Sequence, residues 1–179
     1  MRTVLCVLLM TVWVGAQTPS QTVGQIVDRD LTMLDRELVP LAEAMPAERY
    51  VFAPTGGEFK GVRTFGQQVS HVAAVLYAVS AAAAEEKNPS EMGPGENGPP
   101  SLKTKADIVK YLKDALAYSH KAMAKMTNQN STDLVVNPFG PNKVPRLKVA
   151  YETVWHSFDH YGQMVVYLRM NGIVPPASR

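Results

Sequence analysis

The sequence predicts an all-α protein, a single four-helix bundle that follows an N-terminal signal peptide. Three observations predict it. Apolar residues recur at helical spacing in four separate stretches, no stretch carries the alternation of a strand, and two long connections rich in Pro, Gly, Asn and Ser separate the later stretches. Hydrophobic residues make up 46% and charged residues 19% of the 179, a globular composition on a chain long enough for one sizeable core.

Residues 1–16, MRTVLCVLLMTVWVGA, place Arg2 before an apolar run from Val4 to Val14 and end on small residues. That is the charge, apolar run and cut site of a secretory signal, too short to span a bilayer comfortably. The expectation is a cut after Ala16, an exported protein (periplasmic or secreted) beginning near Gln17, and a mature domain over 17–179. Cys6 is the only cysteine and lies inside the segment, so the mature domain has neither a disulfide framework nor a cysteine nucleophile.

Val23, Val27, Leu31, Leu34, Leu38 and Leu41 mark the first helix, with Pro40 expected to kink or end it near Val39 and Pro46 closing it. Thr64-Phe65-Gly66-Gln67 has the form of a capping box and opens the second helix, which runs to about Glu86 on a stripe of Phe65, Val69, Val72, Leu76 and Val79. Residues 87–103 read as a long surface connection. The third helix opens near Thr104 and carries Ile108, Val109, Leu112, Leu116 and Met123 on one face, with His120 at its edge as a partly exposed residue. Residues 127–145 form a second polar loop. The fourth helix runs from about Arg146 to Asn171, with Gly172 beyond its end. On it, Val154, Phe158, Tyr161, Val165 and Leu168 are the expected apolar face, while Glu152, His156, His160, Gln163 and Tyr167 form a polar line.

The formal net charge of +2 and scattered Lys and Arg exclude nucleic acid as the main partner. No stable membrane insertion is expected once the signal is removed. What remains is a small-molecule substrate, with a homodimer left open.

Two imidazoles four residues apart on a helix share a face and can hold one cation. His156 and His160 have that spacing, and His71, on an apolar helix beside Val75, Ala78 and Ala82, is the natural third ligand. The bland alternatives are a solvated helix face and a core histidine bonded to a backbone carbonyl. Binding needs neutral imidazoles, so metal affinity is expected to fall as pH drops below about 6.5.

His71 within FGQQVSHVA, followed far downstream by HSFDHYGQMVVYLRMNG, resembles the DinB/YfiT-like family of four-helix-bundle metalloproteins. The likeness runs over the mature chain, with Gly162-Gln163 and Tyr167-Leu168-Arg169 matching the family's trailing motif. It implies an up-down-down-up bundle and a divalent ion, zinc or nickel, on His71, His156 and His160. Three protein ligands and an open position are the pattern of a catalytic rather than a closed structural site. His120 matches nothing in the family pattern. Several relatives act with low-molecular-weight thiols, which an exported protein would meet rarely.

Two classes of function follow. One is a metal-dependent hydrolase or group transferase, with Glu152 and Asp159 as weak candidates for a general base and Gln163 and Tyr167 bordering the open side of the ion. The other is a non-catalytic, stress-associated protein whose metal stabilises the bundle.

Overall fold

The computed structural model describes residues 20–179; the expected signal segment, Cys6 and the start near Gln17 lie outside the described residues. Four helices dominate: α1 (Val23–Ala44), α2 (Phe65–Ala84), α3 (Lys105–Met123) and α4 (Arg146–Met170). Among the described residues no helix is long and apolar enough to cross a membrane.

Three helices open with one device. Thr22, Thr64 and Thr104 each accept from the backbone N–H three residues on, and Gln25, Gln67 and Asp107 reach back to the N-cap backbone. Each reciprocal pair satisfies two donors that a helix start leaves without partners.

Residue contacts order the helices around the core as α1–α3–α2–α4. Lys105, at the start of α3, donates to the carbonyls of Glu43 and Met45 at the end of α1, so these two helices are antiparallel. Tyr161 of α4 donates to Glu37 of α1, and Arg49 after α1 reaches Asn171 after α4, so α1 and α4 run in one direction. Gln68 meets Gln163, while Arg146 meets Ala83 and Glu85, so α2 opposes α4.

Three sequence expectations are corrected. Helix α1 does not end near Val39; it passes through Pro40 to Ala44. The ring removes one backbone hydrogen bond at a cost of about 3 kcal/mol. Leu41 and Met45 beyond it are fully buried, and each such side chain returns roughly 1.5–3 kcal/mol. The second loop is not free of strands. Leu134–Val136 (β1) pairs antiparallel with Lys143–Pro145 (β2), Val135 opposite Val144. The alternation spans three residues with one buried side chain, too short to register as a pattern. Finally, α4 buries a wider face than the apolar one expected: Val154 and Leu168 are buried and Tyr161 and Val165 pack against the core, but Val149, Thr153, Ser157, His160 and Met164 are buried too, whereas Phe158 is exposed.

Arg146, the first residue of α4, is buried and locks these parts together. Its Nε donates to the carbonyl of Asn130, one Nη to the carbonyl of Ala83 at the end of α2, and the other to Glu85 Oε2 at 2.6 Å.

Candidate metal centre

Because α2 and α4 are antiparallel, the first half of α2 faces the middle of α4. His71 therefore meets His156 and His160. His71 and His160 are buried and His156 is half-buried. The ring centroids stand 4.7 Å (His71–His160), 5.0 Å (His71–His156) and 4.6 Å (His156–His160) apart, a nearly equilateral triangle. One ligand nitrogen from each lies within 4.8 Å of the others, the one such group of His, Cys, Asp or Glu among the described residues.

The surroundings fix which nitrogen is free. His71 Nδ1 lies 2.9 Å from the carbonyl oxygen of Glu96. A carbonyl can only accept, so Nδ1 carries the proton and neutral His71 keeps a bare lone pair on Nε2. His160 Nδ1 is bonded in the same way to the side-chain oxygen of Gln68, which frees its Nε2. Gln68 donates onward to Gln163 Oε1 at 3.0 Å, and Gln163 donates to Asp159 at 3.0 Å. A chain of amides thus holds the His160 ring in place, as the outer partners of metal-bound histidines do.

His156 completes the group. Its Nε2 lies 3.2 Å from His71 Nε2, and its buried Nδ1 has no hydrogen-bond partner among the described residues. Two nitrogens on one tetrahedral zinc, each roughly 2.0–2.1 Å from it, stand about 3.3 Å apart. The donor set fits a divalent cation: three neutral imidazoles, two with fixed tautomers, converging from two rigid helices.

The electrostatics agree. Burial pushes His156 down to about 3, helped by repulsion from His160, His71 and the Arg63 charge. Burial and His71 push His160 down to about 4, with Arg63 adding to and Asp159 opposing the shift. Burial lowers His71 too, against the pull of the Glu96 carbonyl. All three rings are therefore neutral, the form that ligates, near pH 7.

The other sequence candidates fall at varying distances from this group. Gln163 lines the same cavity as His160. Tyr167 is buried behind it, its hydroxyl donating to the Arg63 carbonyl at 3.1 Å and its ring edge-on to Phe52. Glu152 is paired with Lys148 at 3.0 Å, and Asp159 ends the amide chain; neither is hydrogen-bonded to a histidine among the described residues. His120 lies elsewhere, between α1 and α3, bonded to Asp28 and Asp35.

Sequence reasoning missed Gln68, the Glu96 carbonyl and Arg63. Gln68 stands one turn before His71 on the same face, a signal that spacing offered. The Glu96 contact is made by backbone, which no residue type announces.

A helical bundle whose facing helices turn three imidazoles toward one point defines a class of protein with a histidine site in its interior. This chain belongs to the DinB superfamily, whose family model matches residues 31–164. The crystal structure of a DinB-like protein from Bacillus cereus ATCC 10987 superposes with a TM-score of 0.68 at 16% identity, covering 85% of this chain and 95% of that one. At that identity the likeness is one of fold. A comparison with curated proteins finds no match.

Proposed function

We propose that this protein binds one divalent ion, zinc or nickel, on His71, His156 and His160 and works as a metal-dependent hydrolase or group transferase on a small molecule. The observation that carries the reading is the convergence of the rings, with His71 Nε2 and His156 Nε2 3.2 Å apart. Neutral imidazole suits both metals. Three ligands leave room for a further one. Such an ion supplies Lewis acidity, polarising a carbonyl or phosphoryl oxygen and making a water or thiol more acidic.

The chain supplies positioning. The Glu96 carbonyl and Gln68 hold the Nδ1 protons of His71 and His160, so both rings keep Nε2 available and do not rotate. Gln163 and Asp159 brace Gln68 from behind. A cavity of about 490 Å³ opens beside His160, large enough for a small substrate.

The test is turnover of a panel of esters, phosphoesters and activated electrophiles by metal-loaded wild type, metal-free wild type and His156→Ala. The expected result is turnover of one class by the loaded wild type alone. No turnover of any class, with metal bound, would leave the non-catalytic reading in its place.

A further inference from the structure

The cavity beside His160 has a hydrogen-bonding character of its own. Its lining includes Arg63, Gln67, Gln68, Asn97 and Gln163, and no carboxylate. Every side-chain amide oxygen in that lining is already engaged. Asn97 Oδ1 accepts from Arg63 Nε at 2.9 Å, Gln67 Oε1 from the Thr64 N–H at 2.9 Å, Gln163 Oε1 from Gln68 at 3.0 Å, and Gln68 Oε1 from His160. The amide nitrogens of Asn97, Gln68 and Gln163 are engaged as well, on Pro94, Gln163 and Asp159.

Apart from His160 Nε2, which would be committed to the metal, the side-chain nitrogens of that lining left with no hydrogen bond are a pair of donors. Arg63 uses Nε on Asn97 and Nη2 on the Gly95 carbonyl, and Gln67 uses its oxygen in the capping box. Arg63 Nη1 and Gln67 Nε2 make no hydrogen bond among the described residues. Two carboxylates stand nearby, Asp159 held by Gln163 and Glu96 4.0 Å from His71 Nδ1, and neither is paired with Arg63. The guanidinium is also set in advance: two of its nitrogens are held by the 87–103 loop, and its backbone carbonyl accepts from Tyr167. Ordering an arginine before its ligand arrives removes much of the entropic penalty of binding.

A guest that satisfies this cavity must bring acceptors and negative charge, since spare donors and one cation are what it offers. We propose, resting on the three-histidine metal reading, that the cavity receives the oxyanion of a small substrate, a carboxylate or phosphate group, on Arg63 Nη1 and Gln67 Nε2. The rest of the molecule is then presented to the histidine triad. Arg63 is thereby the residue that selects anionic over neutral substrates.

The test is a titration of the ¹⁵N-labelled, metal-free full chain with benzoate, phenyl phosphate and neutral benzamide, read on the Arg63 Nε–H and Gln67 amide resonances. Both anions should shift these resonances and bind at least tenfold more tightly than benzamide, and their rank tells which oxyanion the cavity prefers. Arg63→Gln should weaken both anions at least tenfold and leave benzamide unchanged. Gln67→Glu keeps the acceptor that caps α2, so the fold is retained, and it should weaken the anions similarly. Benzamide binding as tightly as the anions, or Gln67→Glu binding them as wild type does, would overturn the proposal. Repeating the titration after cobalt loading separates the two readings. Anion shifts without cobalt uptake sink the metal site and leave this cavity standing; cobalt uptake without anion shifts does the reverse.

Discussion

At the scale of single residues, the same side chain is set to opposite states in two places. The histidines between α2 and α4 are neutral because burial and their mutual repulsion penalise charge, with His156 pushed down to about 3 and His160 to about 4. His120 has Nδ1 2.6 Å from Asp28 and Nε2 2.9 Å from Asp35. Only an imidazolium donates from both nitrogens. Burial pulls its pKa down, but the hydrogen bonds and charges of Asp35 and Asp28 outweigh that and hold it above the ordinary value. The unfolded chain has no such partners, so the stabilisation is fully present below about pH 6.5 and fades as pH rises through the raised folded value. The melting temperature of His120→Ala should therefore fall further below that of wild type at pH 5.5 than at pH 9; an equal gap at both would mean that the clamp is not charged. Nothing local in sequence announced this role, since Asp28 and Asp35 lie 92 and 85 residues away.

At the scale of elements, the connection between α2 and α3 carries a piece of the site. It folds through left-handed backbone at Gly93, Gly95, Glu96 and Gly98 to bring the Glu96 carbonyl to His71 and the Gly95 carbonyl to Arg63. A Cβ on Gly93 would stand 1.8 Å from the Gly98 oxygen, with φ at +65°. Gly93→Ala should weaken metal affinity, measured by competition with a chromophoric chelator, by roughly tenfold, the scale of losing an outer-shell partner. Glu96→Gly, which keeps the carbonyl and relaxes a left-handed residue, should leave affinity unchanged. Equal affinity for wild type and Gly93→Ala would detach the loop from the site. How much of this was legible follows from what each element uses. The stripe from Val27 to Leu41 and the Thr64–Gln67 cap were readable because apolar periodicity and short polar motifs are local. The inner face of α4 was legible only in part: Val154 and Leu168 lie on it as expected, but Thr153, Ser157 and His160 are buried polar residues, which a hydrophobicity pattern assigns to solvent. Of the site, the three ligand candidates were visible as residue types at helical spacing. Their outer partners, a backbone carbonyl and a glutamine whose oxygen meets a histidine across the bundle, were not.

At the scale of the whole molecule, the bundle turns a loose sequence pattern into a compact group of candidate ligands. The antiparallel crossing of α2 and α4 brings together residues 85 positions apart, and Arg146 anchors the other end of that crossing to the carbonyl of Ala83 and to Glu85. Burial also moves the acid limit expected of free imidazoles. Burial holds His71, His156 and His160 all below the ordinary imidazole value, so protons should compete with a metal only below pH 6.5, and binding is expected to persist there. The most direct measurement is metal stoichiometry by elemental analysis after loading with zinc or nickel and desalting, at pH 7.5 and pH 5.5. Wild type and His120→Ala should each hold about one ion per chain at both values, and His71→Ala and His160→Ala about a tenth of that or less. Full stoichiometry in the triad variants, or loss of the ion in His120→Ala, would contradict the assignment.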